Sequence, residues 1–100
     1  MGEYKVAVIG DKYNNPLFRS AGLIAIEAYS QDDVVRKVIE ASRRDDIGLI
    51  IVLKHMVEDE DMFRDSIKEV DKPVLVLPTR WATAEPINVD KLLAKALGLG

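Results

Sequence analysis

Few places in this chain gather residues that could do chemistry. Gly10-Asp11 closes a short apolar run, where a βα turn can cradle a phosphate or a carboxylate can hold a metal ion. Neither G-x-G-x-x-G nor G-x-x-x-x-G-K-S/T surrounds it, so Gly10 reads as a tight turn and Asp11 as a turn or cap residue. His55 is the only histidine, which removes any histidine cluster for zinc and leaves a surface or cap residue. The acidic run Glu58-Asp59-Glu60-Asp61 lacks the glycine and ligand spacing of a calcium loop. Carboxylates in the first turn of a helix favour its dipole, a simpler cause for the run. Asp45-Asp46 behind Arg43-Arg44 reads as a solvated loop. No cysteine is present, so a cysteine nucleophile, a Cys-ligated zinc site and a disulfide framework are excluded. No nucleophile, base and oxyanion site assemble, and the chain reads as no enzyme by itself, with no cofactor.

Arg80 and Trp81 are different. They stand side by side between Pro78 and Pro86, in a stretch without periodicity, and are residue types enriched at interface hot spots. Partner contact is one reading of the pair; Trp81 folding back over a sheet edge is the other.

The elements that must position these residues alternate between strand and helix. Tyr4–Ile9 reads as a first strand, and Pro16 suits the first turn of a short helix through Ala21, with Gly22 as its stop. Leu23–Tyr29 is a second strand whose Glu27 suits an edge, where a charge reaches water. Ser30 with Asp33 resembles a capping box. The helix it opens carries Val34, Val35, Val38, Ile39 and Ser42 on one face, with Arg43 and Arg44 in its last turn. Gly48–Leu53 has no polar alternation, the pattern of a parallel strand buried on both faces. A helix is expected between Val57 and Val70, with Phe63, Ile67 and Val70 inward, ended by Lys72-Pro73. Val74–Leu77 is the fourth strand. Asn88 caps a last helix bearing Val89, Leu92, Leu93, Ala96 and Leu97, with Gly98 as its end.

Such alternation implies right-handed βαβ units and a four-stranded parallel sheet flanked by helices, an α/β receiver- or flavodoxin-like fold ordered 2-1-3-4. The division is a globular α/β domain over 1–78, a linker over 79–87 and a C-terminal helix over 88–98. The fourth strand, apolar on both faces, would lie at an edge and asks for a partner or a returning tail. Burying Val89, Leu92, Leu93 and Leu97 would gain about 6–12 kcal/mol, against about 15 kcal/mol for ordering the segment. Helix hydrogen bonds and lost linker freedom shift both sides, so the balance is near zero: the last helix is either a permanent layer of the fold or a docked-or-extended switch, which the double-proline linker favours. A receiver domain needs a phospho-accepting carboxylate after strand three, where this chain has Lys54-His55; that reading fails on chemistry.

One hundred residues make a single domain large enough to fold without staples. Fourteen Lys and Arg against 17 Asp and Glu leave a formal charge of −3, which argues against nucleic acid as the main partner. No apolar run is long enough to span a membrane, and the N-terminus lacks signal-peptide features, so a cytoplasmic location is expected.

Four strings in order then become informative: Lys5-Val6-Ala7-Val8-Ile9-Gly10-Asp11, Leu17-Phe18-Arg19-Ser20-Ala21-Gly22, Asp45-Asp46-Ile47-Gly48-Leu49-Ile50-Ile51-Val52 and Lys72-Pro73-Val74-Leu75-Val76-Leu77-Pro78-Thr79. Together they resemble the F subunit of the archaeal and vacuolar-type ATP synthases. The likeness spans nearly the whole chain and departs at Leu17, where members often carry Gly, and at Val76-Leu77-Pro78. It implies a small α/β domain in the central rotor stalk, attached to the coiled-coil D subunit. It also implies a C-terminal helix able to extend toward the catalytic A and B subunits. Function would be mechanical and regulatory, peripheral to the cytoplasmic side of the membrane through the complex alone. Carried onto this chain, the candidate headpiece contact is the tail with Arg80, Trp81, Leu92, Leu93 and Leu97. The competing reading is a stand-alone ligand-binding or signalling domain with a degenerate receiver fold, to be told apart by phosphate-ligand binding near Gly10.

Overall fold

Each strand is a run of aliphatic residues cut off by a turn, and each longer helix opens at a side chain that caps it. The computed structural model describes residues 4–77. β1 (Lys5–Gly10), β2 (Ile24–Glu27), β3 (Ile47–Leu53) and β4 (Val74–Leu77) form one parallel sheet ordered β2-β1-β3-β4. α1 (Asn15–Ser20), α2 (Gln31–Ser42) and α3 (Glu60–Ser66) connect them, with one 3-10 turn at Lys54–Met56 after β3. This is the α/β order that the alternation of elements predicts.

Register aligns the apolar positions into rows. Ile24, Ala7, Ile50 and Val74 lie abreast, as do Ile26, Ile9, Val52 and Val76. Those rows face Val34, Val38 and Ala41 of α2 and Phe63 of α3. The alternate row of Ala25, Val8, Ile51 and Leu75 turns the other way, where Phe18 of α1 and Leu23 pack with Val8, Leu49, Ile51, Leu53 and Leu77. β3 is buried on both faces, as its unbroken apolar run requires, and each such side chain contributes about 1.5–3 kcal/mol. Glu27 is exposed on the β2 edge. β4 closes the other edge among the described residues, its first three side chains half-buried and Leu77 buried.

The caps are specific. Ser30 is extended, and its Oγ accepts a hydrogen bond from Asp33 N at 3.2 Å. The reciprocal bond runs from Tyr29 N to Asp33 Oδ2 at 3.0 Å, one residue ahead of the cap rather than at it. Asp59 accepts from Met62 N at 3.1 Å and so fixes the start of α3. Just past the end of α1, Gly22 has a φ of +91° that only glycine takes without strain; its N–H reaches the Arg19 carbonyl at 3.1 Å.

Three elements depart most from expectation. α3 covers Glu60–Ser66 rather than Val57–Val70. Val57 is extended against the core, and Asp59 can cap only a helix that starts after it. At the other end Ser66 Oγ bonds back to the Met62 carbonyl, and Ile67 and Val70 turn inward to pack on the core. α2 ends at Ser42, so Arg43 is its C-cap and Arg44 lies beyond, its N–H still reaching the Ala41 carbonyl at 3.1 Å while its guanidinium binds Asp46. β2 is shorter than Leu23–Tyr29: the Leu23 N–H is taken by the Phe18 carbonyl of α1, and Ala28 makes the last contact with β1, its N–H reaching the Gly10 carbonyl at 3.0 Å. The expected linker and C-terminal helix lie outside the described residues.

Candidate functional site

Because β1 and β3 are neighbours, the loops that follow them meet where the strand order changes direction, the usual ligand position of open α/β sheets. β1 ends at Gly10 and β3 at Leu53, which brings Asp11 and His55 together: His55 Nε2 lies 2.9 Å from Asp11 Oδ1. Asp11 Oδ2 accepts from the backbone N–H groups of Tyr13 (2.9 Å) and Asn14 (3.2 Å), and Oδ1 accepts from Asn14 Nδ2 (2.7 Å). A carboxylate offers about four acceptor sites, and His55 faces the one that Asn14 and the two amides leave. Burial works against ionisation of Asp11, yet the bonds from the Asn14 side chain and the loop amides outweigh it and hold its carboxyl below the usual range. Asp11 therefore ties the β1–α1 loop to the turn after β3.

Gly10 is a packing requirement rather than the tight turn expected: it is the last residue of β1 and pairs with Glu27. A Cβ there would meet Leu53 Cδ1 at 2.6 Å and Asn15 Oδ1 at 2.9 Å. Asn15 is buried, its Nδ2 donating to the Gly10 carbonyl at 3.4 Å while Oδ1 has no partner among the described residues. Outside this knot lies a cleft of about 370 Å³ lined by Asp11, Lys12, Tyr13, Ala28, Tyr29, His55 and Met56. The position after β3 that a receiver domain fills with a carboxylate holds Lys54. Among the described residues no group of three or more His, Cys, Asp or Glu is placed to hold a metal. Arg80, Trp81, Leu92, Leu93 and Leu97 lie outside the described residues.

The Asp11–His55 pair escaped the reading from spacing, which found no partner for His55. The signal was present in the topology: residues directly after two adjacent parallel strands converge, although 44 positions separate them in the chain.

Two further carboxyls share the downward shift. Arg36 hydrogen-bonds Asp33 and outweighs its burial, and the Tyr29 amide adds to the effect. Arg44 does the same for Asp46 through bonds of 3.1 and 2.9 Å. Carboxyls lowered in the folded state stabilise it fully above their unfolded values, near 3.9, and lose that contribution as pH falls through the folded ones. Thermal melts from about pH 7 to pH 2 should show a plateau and then a steep loss below about pH 4. In Asp11→Asn the plateau should sit lower and the acid slope should be shallower; an unchanged slope would contradict the role given to Asp11.

The fold and this knot define a small parallel α/β module of the flavodoxin-like kind whose best-placed carboxylate is engaged by its own loop. The family model described as ATP synthase (F/14-kDa) subunit matches residues 6–95. The chain belongs to that family, the F subunits of the A-type and V-type ATP synthases. The A-type ATP synthase F subunit of Methanococcus aeolicus is 34% identical over 98 residues, covering 95% of this chain and 96% of the relative. That of Methanocaldococcus jannaschii is 29% identical over 97 residues, with 95% and 96% covered. The crystal structure of the V-type ATP synthase F subunit from Archaeoglobus fulgidus superimposes with a TM-score of 0.57 at 27% identity, over 75% of this chain and 98% of that one.

Proposed function

We propose that this chain is a non-catalytic central-stalk subunit of an A/V-type ATP synthase, coupling rotation to ATP synthesis or hydrolysis. The observation that carries this reading is the reach of the family match, which takes in the sheet and continues through the segment to residue 95. The engaged state of Asp11 fits a module that works by contact rather than by reaction. In this reading the α/β body grips the coiled-coil D subunit. The segment beyond Pro78, with Arg80, Trp81, Leu92, Leu93 and Leu97, reaches the catalytic A and B subunits and regulates turnover. The chain then sits at the cytoplasmic side of the membrane through the complex, and no described helix is long and apolar enough to cross a bilayer.

The test is reconstitution with and without residues 79–100. Both forms should co-purify with the D subunit, since the body makes that contact. Complexes holding the truncated form should differ in ATP turnover by about fivefold or more, the scale of a modest coupling energy. Equal turnover would remove the regulatory role from the tail. Failure of the full chain to bind the D subunit would remove the stalk assignment.

A further inference from the structure

We infer that the carboxyl end of the sheet is a docking trough for a basic partner helix, one carrying Lys or Arg beside apolar anchors. The inference deepens the stalk reading by naming the gripping face, and it rests on that reading for the partner's identity. Parallel strands all end on the same side, so the loops after β1, β2 and β3 share one rim. The cleft edged by Tyr13, Tyr29 and Met56 is followed by a second, of about 260 Å³, edged by Ser30, Asp59 and Met62. Tyr29 edges the first and its neighbour Ser30 the second, so the two clefts lie side by side along this rim. Gln31 stiffens it, its Nε2 donating to the Asp59 carbonyl at 3.1 Å and its Oε1 accepting from Asp59 N at 2.8 Å.

Two independent features of this rim point to such an occupant. The first is exposed apolar surface. Tyr13 is 79% exposed, Tyr29 76% and Met62 58%, three of the five large hydrophobic side chains left in water among the described residues. Tyr29 is held upright by its hydroxyl donating to Glu27 Oε2 at 2.7 Å. Exposed rings beside a concavity are what interface anchors are made of. The second is charge. Among the described residues Glu27, Asp32, Glu58, Glu60 and Asp61 crowd this end against Lys12 and Lys54, while the opposite end mixes Lys5, Arg43, Arg44, Lys68 and Lys72 with its acids. Some of these carboxylates have a local reason, opposing the dipoles of α2 and α3; the rings touch Glu27 (Tyr29) and Lys12 (Tyr13, with Nζ 5.3 Å from the ring centroid), yet neither contact takes them out of water. An apolar trough with an acidic rim selects a cationic amphipathic helix over an acidic or neutral one.

The experiment measures binding of the full chain to its coiled-coil D subunit, co-expressed or added as the purified protein. The double variant Tyr13→Ala/Tyr29→Ala should weaken binding about 100-fold, and the charge reversal Glu58→Lys/Asp61→Lys should slow association about 10-fold at low salt. Added salt should slow association of the wild type and leave that of the reversed variant nearly unchanged. These positions are exposed, so unchanged circular dichroism and melting confirm that the variants fold. Arg43→Glu, at the opposite end, should bind as the wild type does. Wild-type binding that the trough variants retain within about twofold, or that Arg43→Glu abolishes instead, overturns the docking face alone. No binding by the wild type overturns the stalk reading and this inference with it.

Discussion

Phe63→Ala is expected to lower the free energy of unfolding by about 3–5 kcal/mol, a large share of the roughly 5–15 kcal/mol that holds a domain of this size. Phe63 is the one fully buried residue of α3, a helix of only seven residues. Too short to persist alone, α3 depends on that ring being part of the core cluster that also holds Val34, Ile50 and Val52. Truncation removes the anchor and leaves a cavity that the sheet and α2 are too stiff to fill. Urea unfolding should show the midpoint fall, and amide exchange should show α3 losing protection before α2 does. A loss below about 1 kcal/mol would mean that α3 is held by its cap and by Ile67 and Val70 instead.

Gly10→Val should cost nearly as much, about 3 kcal/mol, at the top of the range for overpacking. Its Cβ would stand 2.6 Å from Leu53 Cδ1 and 3.0 Å from Leu53 Cγ, and Leu53 is fully buried with nowhere to retreat. Moving Gly10 instead would drag Asp11 and loosen its bonds to Asn14 and the loop amides. The paired measurement is Leu53→Ala/Gly10→Val, in which the relieved clash should make the double variant less destabilised than the sum of its parts. Strict additivity would show that the glycine answers to something other than Leu53. This contact explains the glycine without any phosphate.

Much of the architecture was legible in the residues because its causes are local. Val34 and Val38 recur at helical spacing, and Ile50–Leu53 run without polar interruption. Ser30 stands three residues before the amide it caps. Each of these patterns reports how a segment must be buried, and burial together with right-handed crossover limits the sheet to few orders. The end of α3 was less legible. Ile67 and Val70 continue the apolar spacing of a helix, and only packing shows that they reach the core from turns.

The chain's own pattern was therefore sufficient for the strands and helices among the described residues, the order of the strands and the buried β3, since these follow from segment-scale hydrophobicity and backbone sterics. Tertiary structure alone decided that His55 meets Asp11, that Gln31 clamps Asp59, and that Tyr13, Tyr29 and Met62 share one acidic rim. Those encounters join loops distant in sequence, and no periodicity encodes which loops converge until the strands beneath them are set side by side.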